Sequence, residues 1–174
     1  MADPVEAFIA VGSNIDPERN IAAALDLLME QVAVTGVSTF YRTAPLGRPE
    51  QPPFLNGVWR VETSMGPRDL KFGVLRCIEA ALGRVRTQDR YAPRTIDLDV
   101  AAYGTEEIDE PDLIVPDPDI KSRPFLAVPL AELAPGMALP GMGERVAELP
   151  AASKTEGLEP MPALTERLRE GAGL

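Results

Sequence analysis

The apolar pattern of the chain switches between period two and period 3.6 in the order strand, helix, strand, strand, helix, strand. That order predicts an α+β fold, a ferredoxin-like sandwich with a largely antiparallel sheet and helices packed on it. Two more observations support it. Both helical stretches are punctuated by proline at the start and glycine at or beyond the end. The chain has 174 residues, 45% apolar and 25% charged, which suits one globular unit with a core of useful size.

Residues 6–12, "EAFIAVG", read as a buried first strand. Asp16-Pro17-Glu18 is a helix start, with an N-cap acceptor, proline at the first helical position and an acid at the positive end of the dipole. Ile21, Leu25, Leu28 and Val32 follow at helical spacing, and Gly36 is expected to close the unit. Val37–Thr43 reads as a second strand, 44–53 as a proline-rich loop and Phe54–Thr63 as a third strand. Pro67 opens a second helix with Leu70, Val74, Cys77, Ile78 and Ala81 expected on its buried side, ended by Gly83. A loop over 84–93 precedes a strand from Thr95 to Ala102. Beyond it come a loop at 116–124, a short helix over Phe125–Leu133 and a final helix at "LTERLRE". The boundaries suggest a main domain over 1–135 and an extension over 136–174, packed on it or trailing from it.

Composition excludes several functions. Net charge is −10, which argues against nucleic acid and acidic membrane as partners. No apolar run approaches the roughly 18 residues of a membrane span, and the N-terminus reads as no export signal, so a cytoplasmic setting is expected. One cysteine excludes an internal disulfide. With no histidine at all, the usual neutral-pH proton shuttle and the commonest zinc ligand are missing.

Within this acidic chain, residues 76–94 are basic: Arg76, Arg84, Arg86, Arg90 and Arg94 against Glu79 and Asp89. The next strand alternates, with Ile96, Leu98 and Val100 on one face and Asp97 and Asp99 on the other. Two carboxylates about 6.5–7 Å apart along a strand repel unless a proton or cation joins them. Magnesium takes one or two carboxylates together with waters and substrate phosphates. Arginines complete a phosphate site by bidentate contact. The pattern points to phosphoryl or pyrophosphoryl transfer from a magnesium nucleotide. An isolated Asp-x-Asp also fits an exposed strand face, and a basic loop also fits a solvated one. No Gly-x-x-x-x-Gly-Lys-Ser/Thr loop or kinase loop is present, so any nucleotide must be held by another framework.

Four stretches, "AFIAVGSNI", "FYRTAPLGRPEQPPFLN", "GRVRTQDRYAPRTIDLDV" and "RPFLAVPLAELAP", occur in this order over 7–135. Together they resemble the 6-hydroxymethyl-7,8-dihydropterin pyrophosphokinases of folate biosynthesis. The resemblance implies a ferredoxin-like fold with mobile loops over the site. It also implies transfer of the β,γ-diphosphate of ATP to the hydroxymethyl group of the reduced pterin, with release of AMP. By the same resemblance Asp97 and Asp99 hold two magnesium ions, and Arg84 and Arg94 contact the phosphates. Arg86, Arg90, Tyr91, Asp117 and Arg123 fall on the ATP side, and Glu79 matches a helix position near it. Thr43, Pro45, Leu46, Phe54, Asn56 and Phe125 form the pterin pocket, the two phenylalanines sandwiching the ring and Asn56 reading its amide edge. Taken singly, Phe54 and Phe125 fit core aromatics, Asn56 a turn cap and Thr43 an ordinary strand residue; only the joint pattern selects the pocket. Partners are then small molecules, and a monomer is the expectation.

The chain departs from the family pattern at three places. Pro116-Asp117-Pro118 stands where the family usually has Pro-His-Pro, Tyr91 where a tryptophan often packs, and Arg76 where glutamine is common. A catalytically weakened pterin- and nucleotide-binding module on the same fold is the alternative that these departures keep open.

Overall fold

A computed structural model describes residues 3–44 and 49–174. The sheet centres on β1 (Val5–Ser13), with β4 (Phe54–Thr63) antiparallel on one side and β5 (Asp97–Tyr103) antiparallel on the other. Between β1 and β4 in sequence lie α1 (Pro17–Met29), β2 (Ala33–Val37) and β3 (Tyr41–Thr43), and both strands pair with β4. The spatial order β5-β1-β4-β3, every pair antiparallel, is the expected split-βαβ arrangement.

The second strand differs from expectation: it begins earlier and is broken. Val37 and Phe40 are both buried in the same core cluster. Residues three apart cannot share one face of a regular strand, so the chain breaks at 38–40. Ser38 bridges the break by exchanging bonds with Val58, N to O at 3.0 Å and Val58 N to Ser38 Oγ at 2.8 Å. Phe40 then lies over Gly57, where a β-carbon would come within 2.5 Å of its ring. Gly36 does not close the first helix, because it lies inside β2 at a register shift. Asp16 is no side-chain cap either: it adopts the left-handed region (φ 45°) and its carboxylate bonds no helix N–H.

The second helix begins with a π-helical stretch, Asp69–Leu75, that runs into α2 (Arg76–Ala81). Cys77 and Ala81, expected inside, are exposed. The wider turn keeps residues four apart in line, so Leu70/Lys71, Val74/Leu75 and Ile78/Glu79 face the sheet. Lys71 and Glu79 are thereby buried, and both matter below.

After β5, a hairpin of β6 (Ile108–Glu110) and β7 (Leu113–Val115) leads to a 3-10 turn at Pro118–Ile120 and to α3 (Pro124–Leu133). The segment beyond 135 packs on the rest. β8 (Glu159–Pro160) pairs with β3, and α4 (Pro162–Gly171) buries Leu164 and Leu168 in the core shared with α1 and α2. That core covers one face of the sheet through Ile9, Val11, Trp59, Val61, Leu98 and Val100. On the opposite face α3 covers Phe8, Val58 and Ala101. Ala10 and Gly12, next along that face of β1, floor a cavity.

Candidate functional site

Two cavities meet at Asp97 and Asp99. The first, of about 270 Å³, has Ala10, Gly12 and Asn56 on its floor and Thr43, Phe54, Phe125, Asp117, Asp119 and Arg123 on its walls. The second, of about 390 Å³, is lined by Arg76, Arg84, Arg86, Thr87, Gln88 and Asp89. Arg90, Arg94, Asp97 and Asp99 border both. The register explains the first cavity. Gly12 on β1 lies opposite Asn56 on β4 and Asp97 on β5, so the three stand in one row on one face. A β-carbon at position 12 would approach Asn56 Oδ1 to 2.8 Å, so glycine makes room for the amide. Asn56 Nδ2 donates to Thr43 Oγ1 at 2.7 Å, which fixes the amide. Phe54 and Phe125 both line the cavity and are half-buried. Pro45 and Leu46 lie outside the described residues.

β5 is the edge strand of the sheet, and its outward backbone is met by side chains instead of another strand. Glu79 Oε2 accepts from Leu98 N at 2.9 Å. Arg76 donates to Leu98 O at 3.0 Å and Arg84 to Ile96 O at 3.2 Å. Glu79, only 2% exposed, also pairs with Arg76 at 3.0 Å, Arg84 at 2.5 Å and Arg86 at 2.7 Å. The buried acid therefore arranges three of the arginines that line the second cavity.

Asp97 is held on both oxygens, by Arg84 at 2.8 Å and by Arg94 at 2.8 Å. Burial pushes its carboxyl up, but the two guanidinium groups outweigh that and hold it below the usual carboxylate range. Burial likewise works against the Arg84 charge, and Asp97 with Glu79 more than restores it. Asp99 bonds differently. Its Oδ1 accepts from Val100 N at 2.9 Å and faces Lys71 Nζ at 3.3 Å. Its Oδ2 has no partner among the described residues.

Asp117 caps the 3-10 turn by accepting from Asp119 N at 2.9 Å. Burial pushes its carboxyl up to about 6; the bond to Asp119 N–H opposes this, and the charges of Asp119, Asp99 and Asp97 add to it. With Arg123 it lies in the first cavity, beside the phenylalanines, and neither lines the arginine cleft. Tyr91 also lines the first cavity, with Arg90 5.2 Å above its ring.

Two residues with positions in this site, Lys71 and Asn14, were not expected from the sequence. Lys71 is concealed by the π-helical turn, which moves it onto the buried face; Glu79, which the resemblance places near the nucleotide side, is buried by the same helix. Asn14, in the short "VGSN" stretch, is 2% exposed and ties loops together. Its Oδ1 accepts from Arg94 N at 2.9 Å and its Nδ2 donates to Gln51 Oε1 at 3.0 Å, while Gln51 donates to Tyr91 O at 2.7 Å. The signal available was a polar Ser-Asn pair ending an otherwise apolar strand.

Among the described residues, no group of three or more Asp, Glu or Cys is placed to hold a metal ion. The donor set nonetheless fits magnesium, which is commonly held by one or two carboxylates with phosphate oxygens supplying the remainder. Asp99 offers one unpartnered oxygen, and Asp97 offers oxygens now held by arginines that phosphate could take over.

No helix among the described residues is long and apolar enough to cross a membrane. The chain is 41% identical over 158 residues to a 2-amino-4-hydroxy-6-hydroxymethyldihydropteridine pyrophosphokinase of Pseudomonas aeruginosa, covering 89% of this chain and 96% of that protein. Proteins of the same name are 38% identical in Haemophilus influenzae (78% of this chain, 86% of that one) and 42% in Bacillus subtilis (73% and 77%). With residues 8–135 also matching the family's sequence pattern, the chain belongs to the 7,8-dihydro-6-hydroxymethylpterin-pyrophosphokinase (HPPK) family.

Proposed function

We propose that the protein transfers diphosphate from ATP to the hydroxymethyl group of 6-hydroxymethyl-7,8-dihydropterin, a step of folate biosynthesis, and that the two cavities divide the substrates between them. The observation that carries this division is that Asp97, Asp99, Arg90 and Arg94 border both. A flat aromatic ring suits the slot with Phe54 and Phe125 on its walls, and an amide edge suits the fixed amide of Asn56. A triphosphate suits the arginine cleft. Pro45 and Leu46 complete the pterin side in this reading.

The pterin hydroxyl oxygen attacks the β-phosphorus of ATP. The new O–Pβ bond forms as the bond from Pβ to the α,β-bridging oxygen breaks, AMP departs with that oxygen, and the hydroxyl proton is released to solvent. This chain's residues contribute position and charge. Arg84 and Arg94 exchange Asp97 for phosphate oxygens, where their fixed forks offset charge developing on the transferred group. Arg86 and Arg90 add positive charge along the triphosphate, while Arg123, Tyr91 and Asp117 lie in the first cavity, which adjoins it. Asp97 and Asp99 would hold two magnesium ions, which supply charge neutralisation and orientation when bound. Binding of the nucleotide would draw the 84–93 loop inward through the Asn14–Gln51–Tyr91 contacts and raise pterin affinity, a coupling that must be reciprocal. We place the enzyme in the cytoplasm, as a monomer, with 136–174 an integral part of its single domain.

The test is a single turnover with Mg-ATP and the reduced pterin, following AMP and the pterin diphosphate. Both should appear in equal amounts. Binding of both substrates without AMP release would leave only a binding module.

A further inference from the structure

We infer that Lys71 is a built-in counter-ion of Asp99 that competes with a divalent cation for that carboxylate. The inference rests on the proposed metal role of Asp99. Lysine is rarely buried, since its ammonium loses hydration unless a partner replaces it. Lys71 is 8% exposed, and its ion-pair partner is Asp99 Oδ1 at 3.3 Å. The π-helical turn brings it there. The long stem of Lys71 reaches from the helix face to Asp99 on the edge strand, where Asp99 opens to both cavities.

The contrast with Asp97 gives the pair its meaning. Arg94 borders both cavities and Arg84 the second, so nucleotide phosphate can draw their forks away from Asp97. Lys71 borders neither cavity, so nucleotide phosphate does not draw it away as it draws the arginines. With Oδ1 shared between Lys71 and Val100 N–H, Oδ2 is the oxygen left for a metal. A fixed positive charge behind a cation site disfavours the free cation. It disfavours less a cation that arrives carrying a triphosphate. Lys71 thus acts through Asp99 as a positioning residue that keeps the empty site from loading free metal and makes metal binding depend on the nucleotide.

The experiment measures Mn²⁺ binding by electron paramagnetic resonance in the wild type, Lys71→Met, Lys71→Gln and Lys71→Arg, with and without α,β-methylene-ATP, which cannot be cleaved. Without nucleotide, Met and Gln variants should bind Mn²⁺ roughly tenfold tighter than the wild type, as removal of one nearby charge implies. The Arg variant should match the wild type, and the gain in Mn²⁺ affinity on adding the analogue should shrink in the neutral variants. Gln keeps a hydrogen bond to Asp99, so it reports on charge even where Met fails to fold. Unchanged or weaker Mn²⁺ affinity in a folded neutral variant overturns the inference while the metal reading stands. A wild type that binds no Mn²⁺ even with the analogue overturns the metal reading itself.

Discussion

The sheet has two open edges, and the protein closes them by opposite means. At β3 the free backbone is covered by backbone: Tyr41 and Arg42 pair with Pro160 and Glu159 of β8, and Met161 N donates to Phe40 O at 2.8 Å. At β5 the free backbone is covered by charge, with Glu79, Arg76 and Arg84 bonding Leu98 and Ile96. Backbone pairing hides an edge and leaves nothing over. Ionic closure leaves guanidinium groups beside the cleft, already oriented. The edge proposed to bind anions is therefore the edge left without a partner strand, and there the contacts that protect the edge also orient the arginines of the cleft.

Breaking the charged edge should cost the most. Glu79→Ala removes the shared partner of Arg76, Arg84 and Arg86 and the acceptor for Leu98 N–H. Breaking one side of a buried ion pair typically costs about 3–5 kcal/mol. Urea unfolding should fall into that range, and turnover should drop more than a hundredfold as the arginines lose their arrangement. A variant with wild-type stability would show that this edge is held by something other than Glu79.

Asp97→Asn and Asp99→Asn should each lower turnover by about a thousandfold or more, since in the proposed reading both carboxylates hold the magnesium that neutralises the triphosphate. Their effects on stability should differ. Two like charges on one strand face suggest repulsion that a substitution would relieve. The structure corrects this for Asp97, which two arginines hold. Asp97→Asn should therefore destabilise measurably, most clearly at neutral pH where the depressed carboxyl is fully ionised, and in calorimetry the loss should vanish only in strong acid. Equal, near-zero effects for both variants would restore the simpler picture of repulsion.

Much of this was legible in the chain because period-two and period-3.6 patterns report burial directly. Asp97 and Asp99 stand out in the sequence through Leu98 and Val100, whose alternation fixes the face. Phe54 and Asn56 came instead from the resemblance, since taken singly they fit a core aromatic and a turn cap. What stayed hidden depends on departures from ideal geometry. The π-helical turn changes which helix residues face inward, so Lys71 and Glu79 are buried while Cys77, expected in the core, is exposed. The break at 38–40 arises because Phe40 needs the space above Gly57, a contact between residues 17 apart in sequence. The role of Asn14 depends on three loops meeting, which no local pattern encodes.

The backbone-closed edge should break more quietly. Thr165 Oγ1 accepts from Phe40 N at 2.9 Å in a buried setting. Thr165→Ala leaves that N–H unpaired, at a cost of about 1–3 kcal/mol. Chemical denaturation should show the loss while turnover at a permissive temperature stays within a factor of two. A large catalytic defect in this variant would mean that the two edges are coupled across the sheet, against the division drawn above.

The smallest expected effect belongs to Asp117, the acid in the position where the family usually has histidine. Its folded carboxyl titrates at about 6, above the ordinary 3.8. Between those values the native protein keeps a proton that the unfolded chain has released. The contribution of this group to stability is therefore full below pH 3.8, is lost as pH rises through 6, and is flat above. Asp97 runs the other way and loses its contribution only in stronger acid, so the window from 3.8 to 6 belongs to Asp117. Asp117→Asn keeps an acceptor for Asp119 N–H, so the turn survives. It should remove the stability slope in that window and add stability at neutral pH. The same charge lies in the cavity that adjoins the proposed triphosphate site. Two unit charges 4 Å apart interact by about 1 kcal/mol in water and about 4 kcal/mol at an effective dielectric of 20, and an open cavity lies nearer the first figure. The KM for ATP in the wild type should then rise several-fold from pH 5.5 to pH 7.5, beyond the change shown by Asp117→Asn over the same range. The Asn variant serves as the control for titration of ATP itself, and Asp117→His should lower the KM for ATP at neutral pH without altering that for the pterin. A higher KM for ATP in either variant would mean that the carboxylate makes a favourable contact with the nucleotide, such as accepting a ribose hydroxyl, and that repulsion is the wrong account of this position.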